Sequence, residues 1–272
     1  LAVISNLAWG LGYFGQPHIV VRFMAIHSVT ALTAARRIGM LWMVVSVTGA
    51  ALTGCIGFAW MLQQGLPLDD PETVFIVLTQ LLFHPFTGGI LLAAILAAIM
   101  STISSQLLVS SSSLSEDFYR VFLNRTPDDV HAVRVSRMAV VAVAVIAALL
   151  ARNPDSSILG LVSNAWAGFG AAFGPLILFS LYWPAMNWQG ALAGMVSGAV
   201  VVLFWIAVPL GSNDLILSGV LYEIIPGVLT SSAMIVLVTR LTGGANQKVR
   251  AGFEQFSAVM QGHSVPRASV QS

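Results

Sequence analysis

Two short stretches carry residue types and spacings that chemistry could use. The first runs from Trp9 to His18, Trp-Gly-Leu-Gly-Tyr-Phe-Gly-Gln-Pro-His, with three glycines and a proline inside an otherwise apolar run. Glycine lowers the cost of leaving the helical conformation and proline removes an amide donor. Unwound backbone inside hydrocarbon is tolerated only where protein or a water-filled cavity satisfies its polar groups. A broken helix therefore marks a place where a solute can meet backbone polarity. Trp9, Tyr13 and Pro17 are spaced four and four, so residual helicity would put an indole, a phenol and an apolar ring on one face. The competing reading is a proline/glycine kink whose aromatics pack on neighbouring helices.

The second stretch, residues 98 to 105, reads Ala-Ile-Met-Ser-Thr-Ile-Ser-Ser. Ala98, Ser101 and Thr102 stand at i, i+3 and i+4, which places their oxygens on one helical face. Neutral hydroxyls and a carbonyl suit a weakly held hard cation such as sodium. Alternatively, the hydroxyls bond carbonyls of their own helix or join neighbouring helices. Ser110 to Ser113 read as a polar, small-residue helix face.

Other patterns carry less. Gly10 to Gly15 imitates a dinucleotide fingerprint but lacks the strand–helix–strand setting that would give it meaning. The segment Gly168 to Pro175 offers small residues for close helix approach. The five histidines share no ligand spacing, Cys55 is the lone cysteine, and no nucleophile–base arrangement suggests an enzyme. Arg22, just past the break, reads as a snorkelling interfacial residue. Asn124-Arg125-Thr126 matches a glycosylation sequon in a loop expected on the cytoplasmic side.

These residues must be held in place by membrane helices. Only 8% of the 272 residues are charged and 57% are apolar, against about 25% charged in a soluble domain. That composition excludes an ordinary soluble enzyme, and a net charge of +1 without a basic cluster excludes nucleic acid as a partner. Crossing the hydrocarbon core takes about 20 largely apolar residues. Charge-free stretches at 1–21, 38–68, 73–115 and 156–213 give spans at about 1–26 (interrupted), 39–62, 86–112, 158–182 and 190–210, and the largely apolar segments 133–152 and 219–241 complete the set of seven. Residues 139–150 lack the polar alternation of a barrel strand, so the spans are helices. The expected fold is an all-α polytopic membrane protein embedded in a lipid bilayer.

Seven spans put Arg22, Arg36, Arg37, Arg120, Arg125, Arg134, Arg137, Arg240, Lys248, Arg250 and Arg267 on one side, with Arg152 alone on the other. The positive-inside rule makes the crowded side, including an Arg36-Arg37 loop and the C-terminus, cytoplasmic. Asp69, Asp70, Glu72, Asp155 and Asp214 then lie outside. Residues 242–272 are expected to form a disordered cytoplasmic tail. Because the chain opens on Leu1 inside a hydrophobic span, it is expected to be the C-terminal part of a longer protein.

Taken together, Trp9 to His18, Ile95 to Thr102, Ser115 to Tyr119, Leu159 to Ser163 with Ala165 to Pro175, and Gly190 to Gly194 resemble the sodium/solute symporter family, nearest its bacterial proline-transporting branch. The resemblance implies two inverted five-helix repeats (5+5). Residues 1–182 would form the second repeat and 183–241 two additional helices, while the N-terminal repeat of the same protein would be a missing partner. It implies that Trp9, Tyr13 and Pro17 bind the substrate, L-proline, and that Ala98, Ser101 and Thr102 supply half of a site for co-transported sodium, in a bacterial cytoplasmic (inner) membrane. The sequence departs from the pattern at Ala185, where the family places a basic residue. It departs again at Trp188, where the branch often has arginine, and at Asn164, where it tends to have an aromatic. Alternatives are a related symporter for another small solute, a sensor-type symporter domain, or a truncated product without activity.

Overall fold

A computed structural model of the chain describes residues 2–66, 70–123, 129–152, 158–210 and 215–260. The sequon Asn124–Thr126, the acids Asp69, Asp155 and Asp214, Arg125 and Arg267 lie outside the described residues. The described chain is almost wholly helical, and six helices are long and apolar enough to cross a membrane. The seventh expected span, at the N-terminus, is interrupted. This is a multi-pass all-α membrane protein.

The chain divides into two compact units. One comprises residues 1–25 and 151–272. It holds α1 (Ala2–Gly12), a 3-10 turn (Tyr13–Gly15) and α2 (Pro17–Met24). The other unit spans residues 26–150. It contains α3 (Val29–Gln63), α4 (Val74–Leu82), α5 (Pro85–Ser112), a π-helical continuation (Ser113–Leu123) and α6 (Asp129–Leu150). The first unit resumes with α7 (Ile158–Tyr182), α8 (Trp188–Ala207), α9 (Leu217–Val220), α10 (Ile224–Leu241) and α11 (Gln247–Met260).

The first unit is built on α7, α8 and α10. Along α8, Gly190, Gly194, Gly198 and Val202 are buried at every fourth position, and along α10 so are Gly227, Ser231, Ile235 and Thr239. A Cβ on Gly194 would lie 2.3 Å from Ile235 Cγ1, and one on Gly198 would lie 2.5 Å from the Ala171 carbonyl oxygen. The backbones are therefore nearly in contact, as expected where dispersion rather than water exclusion drives helix association. Pro175 inside α7 supplies no N–H, so it cannot bond the Ala171 carbonyl four residues earlier. Gly198 lies against that same oxygen.

In the second unit, α4 joins α3 to α5. Gly57 of α3 lies against the Leu78 side chain and Gly88 of α5 against the Thr79 carbonyl, so Leu78 and Thr79 are buried. Most of the surface of α3, α5 and α6 is exposed and apolar, as a surface facing lipid or further protein should be.

The structure adds detail to several of the expected boundaries. Within the tail from 242, residues Gln247–Met260 form α11, which Asn246 caps: the Val249 N–H donates to Asn246 Oδ1 at 2.9 Å. Arg36 and Arg37 are helical, not in a loop, since α3 starts at Val29, ten residues before the expected span at 39, with Ser28 Oγ capping it by accepting from the Ala31 N–H at 3.1 Å. The 219–241 segment splits at Tyr222-Glu223, with Pro226 near the start of α10. The 190–210 segment ends at Ala207, beyond which Pro209–Leu210 pair antiparallel with Leu215–Ile216. Charge-free length does not encode these boundaries.

Candidate functional site

The break is present where the glycines and proline stand. α1 ends at Gly12, one 3-10 turn follows, Gln16 is extended at φ −81° and ψ 115°, and Pro17 opens α2. Proline suits this first helical position because no amide donor is needed there. The Gln16 carbonyl starts the new helix, accepting from the Ile19 and Val20 amides at 3.0 Å each.

The glycines act differently from the expectation. None of Gly10, Gly12 and Gly15 has positive φ. Instead a Cβ on Gly12 would fall 1.9 Å from Trp166 Nε1, and one on Gly15 would fall 2.3 Å from the Phe169 carbonyl oxygen. On the facing helix, a Cβ on Gly170 would lie 2.7 Å from Gly12 Cα. Gly12, Gly15 and Gly170 thus let α7 press against the broken segment, which accords with the packing reading of Gly168 to Pro175. Gly10 and Gly168 themselves face open space.

One residue of α7 spans the break, through its side chain on one side and its backbone carbonyl on the other. Trp166 Nε1–H donates to the Trp9 carbonyl at 2.9 Å, and the Trp166 carbonyl accepts from Gln16 Nε2 at 3.2 Å. Gln16 is buried at 4% exposure, so its amide needs such a partner. The Trp166 ring stacks on Trp9, with centroids 5.4 Å apart, and meets Tyr13 edge-on at 4.8 Å. Tyr222, preceding α10, stacks on the Trp9 ring at 6.0 Å. A chain of four rings, Tyr222–Trp9–Trp166–Tyr13, therefore runs along α1 to the 3-10 turn. The Tyr222 hydroxyl donates to the Ser163 carbonyl at 3.0 Å, and its amide donates to Ser5 Oγ at 3.2 Å.

Of the three predicted residues, Trp9 and Tyr13 share Trp166 as a neighbour, while Pro17 sits beyond the break at the head of α2. Tyr13 remains 37% exposed. At the Tyr222 end of the ring chain lies a cavity of about 380 Å³, bordered by Ser5, Asn6, Trp9, Ser163 and Tyr222. That falls in the size range of small-molecule pockets. Spacing alone missed Trp166, Gln16 and Tyr222. A tryptophan followed by a glycine-rich helical face was the available signal for the first.

The hydroxyl face lies in the second unit. Ser101 Oγ donates to the Ala98 carbonyl at 2.9 Å and Thr102 Oγ1 donates to the same oxygen at 3.2 Å. Three oxygens are gathered, by the in-helix bonding that was the competing reading. Each hydroxyl spends its proton on Ala98 and keeps lone pairs that a cation could accept. No cluster of three or more acidic, histidine or cysteine side chains suited to a metal occurs among the described residues. A neutral oxygen set is the kind that binds a monovalent ion weakly enough to release it.

The comparisons with known proteins agree with one another. The family model described as Sodium:solute symporter family matches residues 1–198. The chain is 54% identical over 242 residues to the "Osmoregulated proline transporter OpuE" of Bacillus subtilis (strain 168), covering 89% of this chain and 48% of that protein. It is 52% identical over 260 residues to the "High-affinity proline transporter PutP" of the same organism, covering 96% of this chain and 54% of that protein. To "Sodium/proline symporter 2" of Staphylococcus saprophyticus it is 53% identical over 247 residues, covering 89% and 48%. The chain thus spans about half the length of the curated relatives it matches. No solved structure matches. With the family model covering 198 of 272 residues, the chain belongs to the sodium:solute symporter family.

Proposed function

We propose that this chain is the C-terminal part of a sodium-coupled symporter for L-proline, working by alternating access with an N-terminal repeat of the same polypeptide. In this reading residues 1–182 form the second five-helix repeat and 183–241 two further helices. The protein sits in the bacterial cytoplasmic membrane with its C-terminus inside, as the distribution of Arg and Lys favours. The broken helix clamped by Trp166 is the observation that carries the proposal: it offers interrupted backbone, a partly exposed phenol and apolar ring faces to a small cyclic amino acid. The names of relatives above 50% identity support the substrate and the ion.

Trp9, Tyr13 and Pro17 hold the solute, with Trp166 and Gln16 fixing the geometry of the break. Ala98, Ser101 and Thr102 provide half of the sodium site. Sodium is co-transported substrate, and each ion crossing 100 mV contributes about 2.3 kcal/mol. Coupling requires that bound sodium favour the conformation that binds solute, a linkage of about 1–3 kcal/mol.

Uptake of radiolabelled proline by the full-length transporter, varied in both proline and sodium, tests these roles. Trp9→Ala and Tyr13→Ala are expected to raise the KM for proline about tenfold or more, a loss of at least about 1.4 kcal/mol, with less effect on the sodium requirement. Ser101→Ala and Thr102→Ala are expected to raise the sodium concentration for half-maximal uptake. An unchanged sodium dependence in Thr102→Ala would refute the cation assignment. Competition by pantothenate, sugars or carboxylates in place of proline would refute the substrate.

A further inference from the structure

The helix α11 is placed and patterned for a surface that no other described element supplies. At about 100° per residue, Val249, Phe253, Phe256 and Met260 fall within an arc of about 60°. Lys248 and Arg250 stand about a quarter turn to either side of that arc, and Glu254, Gln247 and Gln255 lie on the far side. The Phe253 and Phe256 rings are neighbours, with centroids 6.4 Å apart. Val249 is 47% exposed, Phe256 41% and Met260 52%, and α11 has no extensive packing on any other described helix.

Its position is fixed by the corner before it. Gly243 and Gly244, at φ +84° and +77°, turn the chain at the end of α10, in the left-handed region that favours glycine. The Gly244 N–H donates to the Thr239 carbonyl at 2.9 Å. Asn187, which caps α8 by accepting from the Gly190 N–H at 2.9 Å, also donates through Nδ2 to Thr242 Oγ1 at 2.6 Å and to the Gly244 carbonyl at 3.3 Å. The start of α8, the end of α10 and the glycine corner that leads to α11 are thereby tied together. α8 and α10 are membrane spans, and the chain between Leu241 and Gln247 can reach at most about 20 Å. The start of α11 must lie at the membrane surface.

We propose that α11 is an interfacial helix, lying in the headgroup region of an anionic phospholipid bilayer with its Val249–Met260 face among the acyl chains. Lys248 and Arg250, one on each flank of that face, reach lipid phosphates, while Glu254 points to water. An apolar arc bordered by basic residues, with an acid opposite, is complementary to such a surface. Its continuity with the span ending at Leu241 puts that surface within reach.

The test uses the full-length transporter in a cysteine-free background, with Cys55→Ser and every cysteine outside this chain likewise replaced by serine, reconstituted in phosphatidylcholine vesicles containing phosphatidylglycerol. Single cysteines placed by Val249→Cys, Met260→Cys, Gln247→Cys or Glu254→Cys carry an environment-sensitive fluorophore. Probes at 249 and 260 are expected to be quenched by brominated lipid at least twofold more than those at 247 and 254, with the reverse order for aqueous iodide. Omitting phosphatidylglycerol, or combining Lys248→Gln with Arg250→Gln, should reduce the lipid quenching at 249 and 260. Equal quenching at all four positions would overturn the proposal. So would probes at 249 and 260 shielded from both quenchers, which would mean a protein partner. Lipid quenching indifferent to both phosphatidylglycerol and the basic pair would overturn the headgroup contact.

Discussion

Trp166 is the residue on which the break depends most. Its indole N–H satisfies the Trp9 carbonyl before the 3-10 turn, and its own carbonyl holds Gln16 after it. Replacing it with phenylalanine keeps a ring between Trp9 and Tyr13 but removes a partly buried hydrogen bond to the Trp9 carbonyl, a cost of about 1 kcal/mol. We expect Trp166→Phe to raise the KM for proline about fivefold or more in the full-length protein, and Trp166→Ala to abolish measurable uptake. Uptake kinetics alongside surface expression would check both, and wild-type kinetics for Trp166→Phe would show that the bond does not shape the site. Trp9, Tyr13 and Pro17 stood out in the sequence because glycine and proline punctuate an apolar run and a four-residue spacing aligns all three. Trp166 did not, since its hydrogen-bond partners Gln16 and Trp9 lie 150 and 157 positions away and no local period encodes a contact across that distance. Ser101 and Thr102 were legible as a patch of oxygens, but only coordinates reveal that both bond the one Ala98 carbonyl.

At the scale of elements, the seam between α8 and α10 supports the first unit. Gly194→Leu would drive a side chain into Ile235, whose Cγ1 stands 2.3 Å from the position of the new Cβ. The expected cost is about 1–3 kcal/mol or more, visible as a lowered melting temperature in detergent. Gly10→Ala is the control: the new Cβ meets nothing within 4 Å, and alanine in a helix is favoured over glycine by about 1 kcal/mol. It should leave the melting temperature unchanged or raise it. The reverse order of the two variants would contradict the packing account. Helices were readable wherever charge was absent for long enough, so α5, α7 and α8 fall near their expected positions, and α6 was readable from the apolar run that follows Arg137. Their ends were not, because caps such as Ser28, Asn187 and Asn246 act through single hydrogen bonds that leave no periodic trace. α4 was unforeseen, being only nine residues long and too short for a span.

For the whole molecule, family membership and membrane class rest on composition, span pattern and the matched residues, all of which the sequence displays. The reading that a solute occupies the broken helix is the central claim. Equilibrium binding of radiolabelled proline to the purified full-length transporter, with sodium present or replaced by choline, addresses it without the complications of turnover. The account predicts saturable, sodium-dependent binding in the wild type, and at least tenfold weaker binding in Tyr13→Ala at an unchanged melting temperature. Binding of wild-type strength in a folded Tyr13→Ala protein would contradict it.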